Sequence, residues 1–318
     1  MTTLYVDRKN IHIKLDSNAL AFYVNGEKEG TAPIHSLKRV IIVGNATIET
    51  NVLHKLAEEN VSVVFLTGKN LKFAGMLHGE LHNNALVRIK QYENNNPIFQ
   101  LTFSKKLVIE KINNQINLIN YLKEEKNNLR EDAIKAISAL QEIQNKVENE
   151  KIDIEKLRGY EGGASAVFFS FYTKTFPESL GFTHRNRRPP KDPVNAMLSL
   201  CYTILHYECV REIEMIGLDP CIGFYHAFEY GRESLACDFV EKYRYSAEKF
   251  VWETFRTRKI IGNDFIMEEN SGCYLKKSGR AKFYPLAEEW RKEIRPKIRD
   301  DITNFARSLT NEKDIIYT

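Results

Sequence analysis

The residues best suited to chemistry lie in the second half of this 318-residue chain. His226 follows a Gly-Leu-Asp-Pro turn in GLDPCIGFYH and precedes Gly231-Arg232. The next segment, SLACDFVEKYR, predicts a helix on which Asp238 and Glu241, three apart, share one face. Leu235, Ala236, Phe239 and Val240 supply that helix with packing residues, so the two acids also read as an ordinary solvated edge. Glu161 stands in LRGYEGGAS between Gly159 and Gly162-Gly163, where the pattern predicts the start of a helix. Glycines there let another chain approach closely, although a glutamate at a helix start also serves simply to complement the dipole. One imidazole with two or three carboxylates is a nitrogen and oxygen donor set for a hard cation, Mg²⁺ or Mn²⁺. Such a cation polarises phosphoryl oxygens, so phosphodiester chemistry needs no covalent protein nucleophile.

Basic residues point the same way. FTHRNRRPPKDP gathers Arg185, Arg187, Arg188 and Lys191 on a loop stiffened by Pro189, Pro190 and Pro193. Arginines directed outward from a rigid loop bind phosphate backbones. KKSGRAKF, beginning at Lys276-Lys277, adds more charge, and WRKEIRPKIR reads either as a basic surface or as a solvated helix face. The chain has no GxGxxG, GxxxxGK[ST] or HExxH, and GxSxG is only half matched at Gly163-Ala164-Ser165. Dinucleotide dehydrogenases, P-loop ATPases, zincin proteases and α/β-hydrolases are therefore disfavoured.

These residues need a scaffold, and the composition provides one. Apolar residues make up 43% of the chain, charged residues 28% and aromatics 11%, the balance of a folded protein. At about 150 residues per domain the length suits two domains. The formal net charge of +4 neither requires nor excludes a nucleic-acid partner. Cys201, Cys209, Cys221, Cys237 and Cys273 are odd in number and form no CxxC pair, which suggests reduced thiols and a cytoplasmic setting. No apolar leader or membrane-length apolar run stands out, so neither export nor a membrane role is expected.

Short Val-, Ile-, Phe- and Tyr-rich segments run from Leu4 to about Gly79, with Asn25-Gly26 as a hairpin turn. KRVIIVG, TNVLHKLAEEN and VSVVFLTG read as strand, helix and strand, a βαβ-like insert. Between Phe99 and Leu157 apolar residues recur at spacings of three and four, which predicts two long helices. Helical periodicity resumes over 164–175, 193–215 and 234–258. The expected fold class is α+β. A small N-terminal β-rich domain over residues 1–80, suited to dimerisation and assembly, is followed by a linker over 81–98 and an all-α catalytic domain over 99–318.

Four motifs in order, LRGYEGGASAVFF, FTHRNRRPPKDPVNAMLSLCYTIL, GLDPCIGFYH and GRESLACDFVEKYR, resemble the Cas1 family of CRISPR-associated integrases. Weaker similarity takes in the β-rich region, KINNQ at Lys111 to Gln115, and GCYLKKSGR. The family commonly shows Ile or Leu where Tyr160 stands and proline where Glu233 stands. The resemblance implies that Glu161, His226 and Glu241 bind one divalent cation, Mg²⁺ or Mn²⁺, and form the catalytic site. Asp238 falls at an auxiliary position behind them. The implied reaction is a metal-dependent transesterification, in which the 3′-hydroxyl of a short captured DNA, the protospacer, attacks a phosphodiester at the edge of a CRISPR repeat. Nuclease activity would come from the same site. The implied partners are double-stranded DNA, a second copy in a homodimer, and a small ferredoxin-like protein, Cas2, in a heterohexamer. Arg185, Arg187, Arg188, Arg232, Lys276 and Lys277 are then expected to hold DNA. Two other functions fit the same residues: a structure-specific endonuclease of the repair type, and a DNA-binding scaffold with a vestigial metal site.

Overall fold

The computed structural model describes residues 2–67, 71, 73–77, 79, 85–187, 189–268 and 272–310. It divides into a unit over Met1–His82 and a larger unit over Asn83–Thr318.

The first unit is built on strands β1 (Thr2–Val6), β2 (Ile11–Asp16), β3 (Ala19–Val24), β4 (Glu27–Pro33), β5 (Leu37–Val43), β6 (Ala46–Ile48), β7 (Ser62–Leu66) and β8 (Phe73–Leu77), with helix α1 (Thr50–Glu58) before β7. One sheet has the order β1-β5-β7-β8 and the other β4-β3-β2-β6. The turn between β3 and β4 is Asn25-Gly26, with φ of 52° and 89°. Positive φ at both positions matches the right-handed twist of the flanking strands, which is why Asn-Gly suits this connection. β5 pairs in parallel with β7 across α1, so the βαβ-like insert is present. The four consecutive apolar residues Val40 to Val43 are all buried, as expected for a central parallel strand covered on both faces.

The second unit is mainly helical: α2 (Ala85–Glu93), α3 (Pro97–Glu125), α4 (Arg130–Asn149), α5 (Ile154–Tyr172), α6 (Pro193–Ile216), α7 (Ser234–Arg256) and α8 (Lys277–Leu309). It is not wholly α, because β9 (Phe265–Glu268) pairs antiparallel with β10 (Gly272–Leu275). The segment read as a linker, residues 81–98, also differs from expectation. Its Asn-rich end does break the chain, but Ala85–Glu93 forms a helix and buries Val87 and Gln91. Among the described residues no helix is long and apolar enough to cross a membrane. Cys201, Cys209 and Cys273 are buried free thiols.

Helices α6 and α8 meet through charge as well as apolar packing. Glu208 and Glu212 lie one turn apart on α6 and are fully buried. Arg291 Nε reaches Glu208 at 2.7 Å, Arg295 Nε reaches the same carboxylate at 3.1 Å, and Arg299 Nε reaches Glu212 at 3.0 Å. The arginines of WRKEIRPKIR recur every fourth residue and so meet α6 from one helix face, while Lys292, Glu293 and Lys297 on the other side are exposed. Removing one partner of a buried pair leaves the other charge without compensation and costs about 3–5 kcal/mol. Glu208→Ala should destabilise by about that amount in urea unfolding, and the apolar double change Glu208→Leu with Arg291→Met should recover most of the loss.

Candidate active site

Glu161 does not sit at a helix start. α5 begins at Ile154, where Asp153 accepts a hydrogen bond from Lys156 N at 2.8 Å, so Glu161 lies about two turns inside the helix. A macrodipole role is therefore ruled out, since that effect fades within the first turn. The buried stripe of Leu157, Ala164, Phe168 and Phe171 carries the helix through the glycines. A Cβ at Gly159 or Gly162 would meet nothing, so no intramolecular packing requires glycine there. Together the two positions leave a bare strip of helix beside Glu161.

Three helices bring the charged centre together. Lys111 of α3 is buried and makes short ion pairs with both Glu161 of α5 and Glu241 of α7. Ser165, one turn on from Glu161, donates its hydroxyl to Glu161 at 2.9 Å. The other oxygen of Glu241 meets Arg244 at 2.8 Å. Burial alone would push the Glu241 carboxyl up, but Arg244 and Lys111, with the Lys111 hydrogen bond and nearby His226, hold it at about 2. Arg244 in turn lies 4.8 Å from the centroid of the Tyr202 ring, and Tyr202 donates to Glu248 at 2.7 Å.

His226 is presented by the loop between α6 and α7, and Asp238 arranges that loop. One Asp238 oxygen accepts from Phe224 N at 2.7 Å and Tyr225 N at 3.1 Å, and the other accepts from His226 N at 2.9 Å. The second oxygen also lies 2.7 Å from His226 Nδ1. A carboxylate can only accept, so in the neutral imidazole the facing nitrogen carries the proton and Nε2 keeps the lone pair. This is the geometry by which a carboxylate commonly orients a metal-binding histidine. Asp238 is fully buried and its oxygens are occupied by the loop. Among the described residues no three His, Cys, Asp or Glu form a ready-made metal cage. The Lys111 ammonium instead lies between the two carboxylates.

Beside this centre opens a cleft of about 700 Å³ whose lining includes Lys111, Ser165, Phe169, Arg187 and Arg244. The basic residues of the sequence fare differently around it. Arg187 is exposed. Arg185 also lines the cleft, but its guanidinium is committed to Asn195 Oδ1 at 2.7 Å, Ser199 Oγ at 3.1 Å and the face of Tyr202, so it holds the loop rather than pointing outward. Burial lowers its pKa. Arg188 lies outside the described residues. Arg232 is partly buried and pairs with Glu229 at 3.1 Å. The Arg187 loop is supported by β10, whose Cys273 N donates to Pro190 O at 2.7 Å. Gly272, at φ 97°, lies so near Pro189 that a Cβ would fall 2.6 Å from its ring. Exposed Lys276 and Lys277 follow directly after β10, at the start of α8. Lys276 donates to Asn263 O at 2.9 Å.

Sequence inspection did not assign a role to Lys111, Arg244 or Ser165. A signal for Lys111 was present: it falls on the helical stripe of Ser104, Leu107, Val108, Ile112 and Gln115, which α3 buries. A lysine on a buried face requires a charged partner. Arg244 and Ser165 lie one turn beyond Glu241 and Glu161 respectively, the spacing at which helical side chains meet.

Comparison with known proteins agrees with this architecture. The family profile described as CRISPR associated protein Cas1 matches residues 4–289. A relative from Thermodesulfovibrio yellowstonii, named CRISPR-associated endonuclease Cas1 1, is 52% identical over 317 residues, covering 99% of each chain. Among solved structures, a casposase bound to integration product superposes with a TM-score of 0.84 at 21% identity, over 99% of this chain and 92% of that one. A Cas6-RT-Cas1–Cas2 complex gives 0.80 at 23% identity, over 98% of this chain and 35% of that one. At those identities the structural likeness concerns the fold. The profile match and the end-to-end relative go further: this chain belongs to the CRISPR-associated Cas1 family.

Proposed function

We propose that this protein is the integrase and endonuclease of CRISPR spacer acquisition. It joins the 3′-hydroxyls of captured double-stranded DNA to phosphodiesters at the edge of a CRISPR repeat, and it hydrolyses DNA with the same site. The observation that carries this function is two carboxylates, Glu161 and Glu241, drawn to the single Lys111 ammonium, with an Asp238-oriented His226 near enough to help lower the Glu241 pKa.

The donor set fits a hard divalent cation: two carboxylates and one imidazole nitrogen with its lone pair free. Glu161, His226 and Glu241 would hold Mg²⁺ or Mn²⁺, which supplies neutralisation of phosphodiester charge and activation of an attacking oxygen. Asp238 fixes the tautomer and direction of His226. Lys111 and Arg244 keep positive charge where a pentavalent phosphorus would accumulate negative charge. The bare glycine strip beside Glu161 leaves room for a DNA strand to pass close to the helix. Arg187, with Lys276 and Lys277 beyond the adjoining hairpin, offers phosphate contacts leading to the cleft, and Arg232 flanks the His226 loop. Arg185 supports that surface from beneath.

The relatives favour the same partners. The casposase structure contains an integration product and the larger complex contains Cas2. By the same inference this chain forms homodimers through its β-rich unit, and two homodimers flank a Cas2 dimer in the cytoplasm, where its DNA substrates lie.

A supercoiled plasmid bearing a repeat, an oligonucleotide duplex with 3′-hydroxyls, Mn²⁺ and the cognate Cas2 should yield a covalent oligonucleotide–plasmid product. Glu161→Gln, His226→Ala and Glu241→Gln should abolish it with DNA affinity largely kept. Nicking without joining would instead identify a repair-type endonuclease, and turnover that survives all three changes would remove the proposed site. Arg187→Ala should keep turnover at saturating DNA while weakening binding, and should reduce the salt slope of log K by about 1.

A second prediction concerns the metal-free protein. Glu241, held at about 2 against an ordinary 4.5, contributes stability that is complete above pH 4.5 and is lost as pH falls toward 2. The difference in unfolding free energy between wild type and Glu241→Gln should therefore be flat above about pH 4.5 and shrink in more acidic solution. A difference that does not change with pH would show that the Lys111 and Arg244 pairings add nothing.

A further inference from the structure

The loop that carries His226 is gripped at two places, and Asp238 holds one end. The other end is held by Gln91 of α2, which is fully buried. Gln91 Nε2 donates to Asp219 O at 2.9 Å and to Ile222 O at 2.8 Å, and Gln91 Oε1 accepts from Asp219 N at 2.8 Å. Both amide hydrogens and the amide oxygen are thus spent on one short stretch of backbone. The neighbouring Tyr92 adds a hydrogen bond from its hydroxyl to Asp219 Oδ2 at 3.0 Å. Between the two grips the loop has little slack. Leu235 N donates to Pro220 O at 2.9 Å, and Gly223 packs so tightly on the start of α7 that a Cβ would lie 2.7 Å from Ser234 backbone.

We infer that Gln91 is a positioning residue for His226: it sets the loop so that Asp238 can orient the imidazole toward the carboxylate centre. The inference rests on the proposed role of His226 as a ligand. The physical reason lies in the backbone groups involved. The Asp219 and Ile222 carbonyls and the Asp219 N–H belong to the turn before His226, outside any helix or sheet, and the fully buried Gln91 amide must find its partners there. A side-chain amide is the one neutral group that offers two donors and an acceptor in a single plane. Leucine has a similar volume and satisfies none of them. The loop would then take water at Asp219 and Ile222, and the register of Phe224, Tyr225 and His226 on Asp238 would loosen.

Two measurements on the full chain test this, with Gln91→Leu and the milder Tyr92→Phe beside wild type. The first needs no metal. In proton NMR the His226 Nδ1–H, bonded to Asp238, should give a low-field signal that His226→Ala removes. Gln91→Leu should broaden it or hasten its exchange with solvent at least several-fold. The second is Mn²⁺ titration followed by electron paramagnetic resonance. Gln91→Leu should weaken binding by about tenfold, the lower end of what loss of an outer supporting contact costs a metal site. DNA affinity should be unchanged, and added Mn²⁺ should restore turnover. Tyr92→Phe should shift both measurements in the same direction by less. If His226→Ala leaves Mn²⁺ affinity unchanged, the ligand assignment fails and the NMR signal alone decides the role of Gln91. If the NMR signal and the Mn²⁺ affinity of Gln91→Leu both match wild type, the inference is overturned. A Gln91→Leu protein that is only less stable, with the Tyr92→Phe signal unmoved, also overturns it.

Discussion

A lysine ammonium buried between two carboxylates is the constraint on which this unit depends. Lys111 cannot lie on the inner face of α3 without compensation, because an unpaired charge in that environment costs far more than any apolar contact returns. Its partners come from α5 and α7, so satisfying one charge fixes the mutual approach of three helices. The same contact keeps two acids close that would otherwise repel each other. Arg244 on the far oxygen of Glu241 steadies the arrangement.

The histidine belongs to a different kind of support. It stands on a loop, and loops position side chains accurately only when their backbone groups are engaged. Asp238 engages three successive N–H groups and the imidazole, and Gln91 engages the turn before them. Glu241 and Asp238, three residues apart on α7, thus meet different partners. Asp238 is occupied by the loop, whereas Glu241 is paired with the side-chain cations Lys111 and Arg244.

Basic residues divide between scaffold and surface in a way that net charge conceals. Arg291, Arg295 and Arg299 meet the acids of α6, and Arg185 ties its own loop to Asn195 and Ser199. Arg187, Lys276 and Lys277 remain exposed, the first on the loop whose Pro190 bonds β10 and the lysines directly after β10.

Much of this was legible in the sequence, for reasons that are local. The Asn25-Gly26 turn, the βαβ insert and the long helices follow from backbone preference and from periodicities of two and 3.6. The order of the motifs was enough to suggest the family, and the helix spacing put Asp238 and Glu241 on one face. Other features were decided only in three dimensions. Glycines around Glu161 read as a helix start, yet the Asp153 cap and the buried apolar stripe run the helix through them. Arg185 and Arg187 look equivalent in the sequence, and burial separates them. The partnerships of Lys111 with Glu161 and Glu241, and of Gln91 with the His226 loop, join residues far apart in the chain. No periodicity records such contacts, because they arise from the need to satisfy buried charge and buried backbone, and packing alone determines which groups are buried together.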